Sequence, residues 1–200
     1  MEINISAARI GGVRANFPGI KLSVSPDELT LKVPLLSTYR FAPTDIVSFE
    51  PNKGLYGANV MIMHNVLDYP QKISFNYNGG AQALTLMLNQ HGFIPKGVAD
   101  PSLLRKGFPA RWSFLFAAIL LWNIMLVYSS LQNKFLLYSM IAIAVMFLLT
   151  LWLPRSQTLQ NLVLREGRRI GEIKPTLNLL KWAAGIIFAA SLISHLFKWI

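Results

Sequence analysis

Three long apolar runs dominate the second half of the chain: Trp112 to Ser130 (WSFLFAAILLWNIMLVYSS), Phe135 to Leu153 (FLLYSMIAIAVMFLLTLWL) and Trp182 to Ile200. No Asp, Glu, Lys or Arg interrupts the first two. A helix rises about 1.5 Å per residue, so roughly 20 apolar residues cross a hydrocarbon core. The runs therefore predict a three-helix transmembrane region over residues 112–200, with spans at about 112–130, 135–153 and 182–200.

The hydrophobic fraction of 53% averages two unlike halves. Residues 1–104 are nearly balanced in charge, whereas residues 105–200 hold only Glu166 and Glu172 as acids against many bases. Bases crowd one side of the expected spans: Arg105, Lys106 and Arg111 before the first, then Arg165, Arg168, Arg169, Lys174 and Lys181 in the loop ahead of the third. Lys134 and Lys198 stand alone on the other side. By the positive-inside rule the crowded side is cytoplasmic, which places the amino-terminal domain inside and the carboxy terminus outside a prokaryotic inner membrane. The first twenty residues lack the apolar core of a secretory signal, in keeping with that orientation. Beside apolar runs, bases point to the bilayer and its anionic headgroups as partners, not to nucleic acid. The absence of cysteine removes disulfides, thiolate metal sites and a cysteine nucleophile together.

The first half alternates with period two. Ile20, Leu22 and Val24 interleave with Lys21 and Ser23; after Ser25-Pro26-Asp27-Glu28, Leu29, Leu31 and Val33 interleave with Thr30 and Lys32. This pattern predicts a hairpin with one buried face. Further short strands are expected at Tyr39 to Phe41, Ile46 to Glu50, Asn59 to His64 and Ile73 to Tyr77, each bounded by turn-forming residues. After Asn78-Gly79-Gly80 the period lengthens: Ala81, Leu84, Met87 and Leu88 fall on one helical face, and Gly92 marks the stop. Residues 1–98 thus read as a small antiparallel β-barrel or sandwich closed by a helix, an α+β domain. Residues 99–111 read as a basic linker. After Ser156, Leu159, Leu162 and Val163 suit a short interfacial helix, although Leu162 to Arg165 and Arg168 to Ile170 also suit a hairpin.

Short antiparallel strands ending in one helix resemble the pleckstrin-homology-like fold, in particular the small versions in bacterial membrane proteins. The likeness spans Leu22 to Pro95 and rests on Val24-Ser25-Pro26-Asp27-Glu28-Leu29, Phe41-Ala42-Pro43-Thr44-Asp45-Ile46 and Gly92-Phe93-Ile94-Pro95. It implies a recognition or docking module. Relatives that bind phosphoinositides carry bases around the first hairpin loop, where this chain has Asp27 and Glu28.

No catalytic constellation stands out. His64, His91 and His195 have no acidic or cysteine partner at ligand spacing, so no metal and no cofactor is implied. His64 reads as a strand histidine satisfied by backbone, with a general base as the sharper alternative. His91 reads as a helix-end partner and His195 as an interfacial residue. Gly54-Leu55-Tyr56-Gly57 and Asn78-Gly79-Gly80 match no phosphate-binding fingerprint; the second reads as a turn. Asn123, Gly185 and Ala189 are candidates for helix packing.

One anion patch is legible. If Val24 lies opposite Leu29, Lys21 and Lys32 face each other on the exposed side of the hairpin, and Arg40 joins them from the next strand. Such a cluster would bind acidic headgroups or an acidic partner segment. The sequence therefore points to a membrane-anchored adaptor, a recognition or docking module and not an enzyme. The alternative is an accessory subunit of a transporter or an envelope-synthesis complex, with a membrane-protein partner or a homo-oligomer as the assembly.

Overall fold

The structure is a computed structural model. It describes the chain apart from residues 17, 53–58, 104–106, 132–134 and 197–200, and apart from the side chains of 103, 126, 128–131, 135–139, 191–192 and 194–196. The chain divides into two compact units, Met1–Gly107 with Gly171–Thr176, and Phe108–Ile170 with Leu177–Ile200.

In the first unit the period-two pattern does what elementary pleating requires. β1 (Glu2–Ile5), β4 (Ile20–Val24), β5 (Leu29–Val33) and β6 (Ser37–Phe41) form an antiparallel sheet in the order β1-β4-β5-β6. Ile20, Leu22, Val24, Leu29, Leu31, Val33, Tyr39 and Phe41 point inward and are buried. The hairpin register is the one the alternation demands, with Val24 opposite Leu29. Its turn is held by the Ser25 N–H donating to the Glu28 carbonyl at 2.9 Å, and by the Glu28 N–H donating to the Ser25 hydroxyl at 3.1 Å.

A second sheet runs β3 (Val13–Ala15), β2 (Ala8–Ile10), β9 (Ile73–Phe75), β8 (Val60–His64), β7 (Ile46–Pro51). β1 and β2 are separated only by Ser6 and Ala7 yet belong to different sheets, so the chain turns a corner between them. β2 and β3 meet across Gly11-Gly12, with φ of 60° at Gly11, where a two-residue hairpin with glycine first needs it. Apolar residues of both sheets merge into one hydrophobic cluster. Burying each large aliphatic side chain there contributes about 1.5–3 kcal/mol before entropy is counted.

α1 (Gly80–Gln90) buries Ala81, Leu84, Met87 and Leu88, the face the spacing predicts, and packs on β7 and β8. It ends in a Schellman turn: Gly92 has φ of 78°, the Phe93 N–H donates to the Leu88 carbonyl and the Gly92 N–H to the Asn89 carbonyl, both at 3.0 Å. Phe93 and Leu88 are both fully buried beside it.

The second unit contains α2 (Trp112–Leu131), α3 (Phe135–Trp152), α4 (Gln157–Val163) and α5 (Lys174–Leu196) from Leu177 onward. α2 packs on α3. The ambiguous stretch after Ser156 is helical, and the Ser156 hydroxyl accepts from the Leu159 N–H as the N-cap.

Two expectations are corrected. Both sheets are open, so the first unit is not a closed barrel. The three-helix transmembrane region also fails, because among the described residues no single helix is long and apolar enough to cross a membrane. α3 ends at Trp152, at the close of the second run, and the chain bends by 111° between it and α4. Pro154 and the Ser156 cap set that bend. The third run falls in α5, which begins ahead of it at Lys174, so that Asn178 and Lys181 precede the run. The multi-pass inner-membrane location and the inside-outside topology read from the runs are overturned with it.

Candidate functional site

The outer face of the first sheet is wholly polar and is built by strand register. One row across it reads Asn4, Lys21, Lys32, Thr38; the next reads Glu2, Ser23, Thr30, Arg40. Lys21 and Lys32 are direct cross-strand partners, an arrangement that like charges disfavour.

The repulsion is relieved from within the chain. Glu2, diagonal to Lys21 on β1, forms an ion pair with it at 2.5 Å. A hydrogen bond and the charge of Lys21, with a further contribution from Lys32, hold the Glu2 carboxyl below the usual carboxylate range. At the other end of the face the Glu28 carboxylate accepts from the Thr30 hydroxyl at 2.5 Å and stands 3.9 Å from the Arg40 guanidinium. A shallow groove between the two acids is lined by Glu2, Ser23, Ser25, Glu28 and Thr30. Among the described residues Lys32 has no carboxylate within ion-pair distance.

Thus Lys21, Lys32 and Arg40 do share one face, and two of the three already hold a carboxylate. Sequence reasoning missed Glu2, because β1 was not recognised as a strand. The signal was present in Glu2-Ile3-Asn4-Ile5, a short alternation with its apolar residues inward.

A second cluster gathers around His64 at the end of β8. Its ring lies 5.3 Å from Phe41 and 6.2 Å from Tyr69, and Tyr69 stands edge-on to Tyr39 at 5.2 Å. His64 Nε2 lies 3.1 Å from the Pro70 carbonyl, which makes it the donor and leaves Nδ1 as a buried acceptor with no partner. Burial pushes the imidazole below its ordinary value, partly offset by the Pro70 carbonyl and the charge of Asp45. A cavity of about 20 Å3 beside it is lined by His64, Asn65, Val66, Leu67, Tyr69, Gln71 and Glu172, room for about one water. Burial also raises the Tyr39 phenol well above its usual value. Ser37 lies near enough to offset part of that, yet no group meets the geometry of a hydrogen bond to the phenol oxygen.

The remaining candidates serve local structure. Arg111 ties the second unit together, donating from Nε to the Leu164 carbonyl at 2.8 Å while its N–H donates to the Val163 carbonyl. Arg165 and Arg169 are exposed, Arg168 is half-buried, and Lys174 is exposed on the segment belonging to the first unit. Lys181 sits 5.9 Å from the centre of the Trp182 ring. Asn123 is exposed and donates back to the Ile119 carbonyl of its own helix at 2.8 Å. Gly185 lies toward Phe147 of α3, whereas Ala189 is exposed. His91 accepts helix-end duty through its ring, 2.9 Å from the Met87 carbonyl. Gly79 and Gly80 both have positive φ and turn the chain into α1. Arg105, Lys106, Lys134, Lys198, the side chain of His195 and Gly54-Leu55-Tyr56-Gly57 fall outside the described residues. Among the described residues no group of three His, Cys, Asp or Glu could hold a metal ion.

No protein-family model, curated protein or solved structure matches the chain.

Proposed function

We propose that the first unit is a recognition module, in keeping with the pleckstrin-homology-like resemblance, and that the outer face of β1-β4-β5-β6 docks an acidic segment of a protein partner. What supports this reading is the Glu2 carboxylate paired with Lys21 beside the Lys21–Lys32 pair: the face already stabilises the one carboxylate it holds there. A partner carboxylate has the same chemistry to offer, with Lys32 as the uncommitted base and Arg40 within one strand. Glu2 is then an internal competitor. Apart from Lys32, the charged groups around Lys21 and Arg40 pair with one another, an arrangement suited to binding.

The test is titration of the full chain with a fluorescent oligo-glutamate peptide at low and moderate salt. Binding should weaken as salt rises, fall several-fold when Lys21, Lys32 and Arg40 are all changed to Ala, and strengthen in Glu2→Gln. Equal binding by the triple variant removes the face from consideration.

A further inference from the structure

The two edges of the first sheet are finished differently. Met1 and Val24 exchange both backbone hydrogen bonds, at 2.9 and 2.8 Å. In an antiparallel ladder bonded and non-bonded pairs alternate, so Ile3 and Ile5 turn their backbone groups toward β4, while Glu2 and Asn4 turn theirs away from the sheet. At the opposite edge the outward N–H of Arg40 donates to the Tyr69 hydroxyl at 3.2 Å, and the N–H of Ala42 donates to the Asp45 carboxylate at 2.9 Å. Edge β6 is capped by side chains. Edge β1 carries two N–H and two C=O groups with no partner among the described residues, on a strand whose Glu2 and Asn4 are exposed and whose Ile3 is half-buried. Such an edge is a template for another strand.

We propose that β1 pairs antiparallel with β1 of a second copy of this chain, about a two-fold axis at Ile3, joining two first sheets into one. The side chains of β1 complement a second copy of the same strand in one register. Centred on Ile3, the pairing sets Glu2 against Asn4 of the second copy and Asn4 against Glu2, so four backbone hydrogen bonds form and each carboxylate meets an amide. Centred on Glu2, it would set two carboxylates face to face, which is disfavoured. Centred on Asn4, it would run Glu2 into Ser6, where the chain leaves the sheet and the hydroxyl already accepts from Asn76. The Ile3 register also places the two half-buried Ile3 side chains together at the non-bonded position, where strands approach most closely. The contact is isologous and closes, as a dimer requires. It does not depend on what the outer face binds.

Position 3 supplies the experiment, because the chain has no cysteine of its own. At a non-bonded antiparallel pair the Cα atoms are about 4.5 Å apart, within disulfide reach. Full-length Ile3→Cys, mildly oxidised, should give a disulfide-linked dimer as its main species, several-fold more than Glu2→Cys under the same conditions. Asn4→Pro removes only an outward N–H and is tolerated at an edge, so it should keep the wild-type thermal midpoint at dilutions where the wild type is dissociated and abolish cross-linking of Ile3→Cys in the double variant. Light scattering should then show the wild-type mass falling with dilution and Asn4→Pro at a lower mass throughout. Equal cross-linking at positions 2 and 3, full cross-linking in the double variant, or one mass for wild type and Asn4→Pro at all concentrations each overturns the proposal.

Discussion

Gly171 lies against the backbone carbonyl of Asp68 with no space for a side chain between them. The contact pins a segment remote in sequence, Gly171–Thr176, onto the turn between β8 and β9, next to the small cavity that Glu172 and His64 line. The opposing atoms are backbone, so nothing soft can yield.

Gly171→Ala should therefore force the segment or the turn to move, at roughly 1–3 kcal/mol, the usual cost of overpacking. Gly12 is the internal control. It has open space around it and no positive φ, so Gly12→Ala should change stability by less than about 0.5 kcal/mol. Denaturant midpoints of the two variants make the comparison, and equal midpoints would remove the clamp.

The pH dependence should carry the signature of His64. Its folded value lies below its ordinary one because the ring is buried, so the unfolded chain takes up the proton first as pH falls. Stability attributable to this group is thus complete above the ordinary imidazole value of about 6.5 and declines below it, toward the folded value. Unfolding measured at pH 7.5 and at successively lower pH should show that decline in the wild type, and His64→Gln should flatten it.

The two tyrosines of the aromatic cluster should respond in opposite ways to losing a hydroxyl. The Tyr39 oxygen is buried without a partner, so Tyr39→Phe removes a desolvation penalty and should leave stability unchanged or raise it by about 1 kcal/mol. Tyr69 accepts from the Arg40 N–H, so Tyr69→Phe should cost about 0.5–1.5 kcal/mol. Thermal melts of the pair decide it; a loss at Tyr39 as large as that at Tyr69 would mean the phenol is bonded.

The central hairpin and α1 were legible because each states its period over enough residues: Ile20 to Val33 alternates through ten strand positions around one turn, and Ala81, Leu84, Met87 and Leu88 repeat the helical interval. β1, β2 and β3 were not read, being three or four residues long with a single polar residue, Asn4, Arg9 or Arg14, between two apolar positions. Gly11-Gly12 was a usable hairpin signal between Ile10 and Val13. Their loss hid Glu2 and so the half of the face that answers the lysines. The apolar runs misled for a different reason. Composition reports the solvent a segment tolerates, while crossing a membrane needs uninterrupted length. Among the described residues no single helix holds that length, and after Trp152 the chain bends by 111° into α4.

The Lys21–Lys32 pair offers the most direct test of how the outer face is balanced. Lys32 is exposed, lies opposite Lys21 and has no carboxylate of its own among the described residues. Lys32→Glu replaces a like-charged cross-strand pair by an opposite one and gives Lys21 a second acid besides Glu2. Cross-strand pairs of this kind differ by about 0.2–1 kcal/mol, so the variant should be more stable than the wild type by that order in low salt. The gain should shrink as salt screens exposed charges. Its ligand behaviour should run the other way: with the uncommitted base reversed, oligo-glutamate binding should be lost even though the fold is firmer. Stability and binding moving apart in one variant is the outcome a docking face predicts. A variant that is both stabilised and fully able to bind would locate the acidic segment elsewhere, and one that is destabilised in low salt would mean that Lys32 is held by a contact other than its charge.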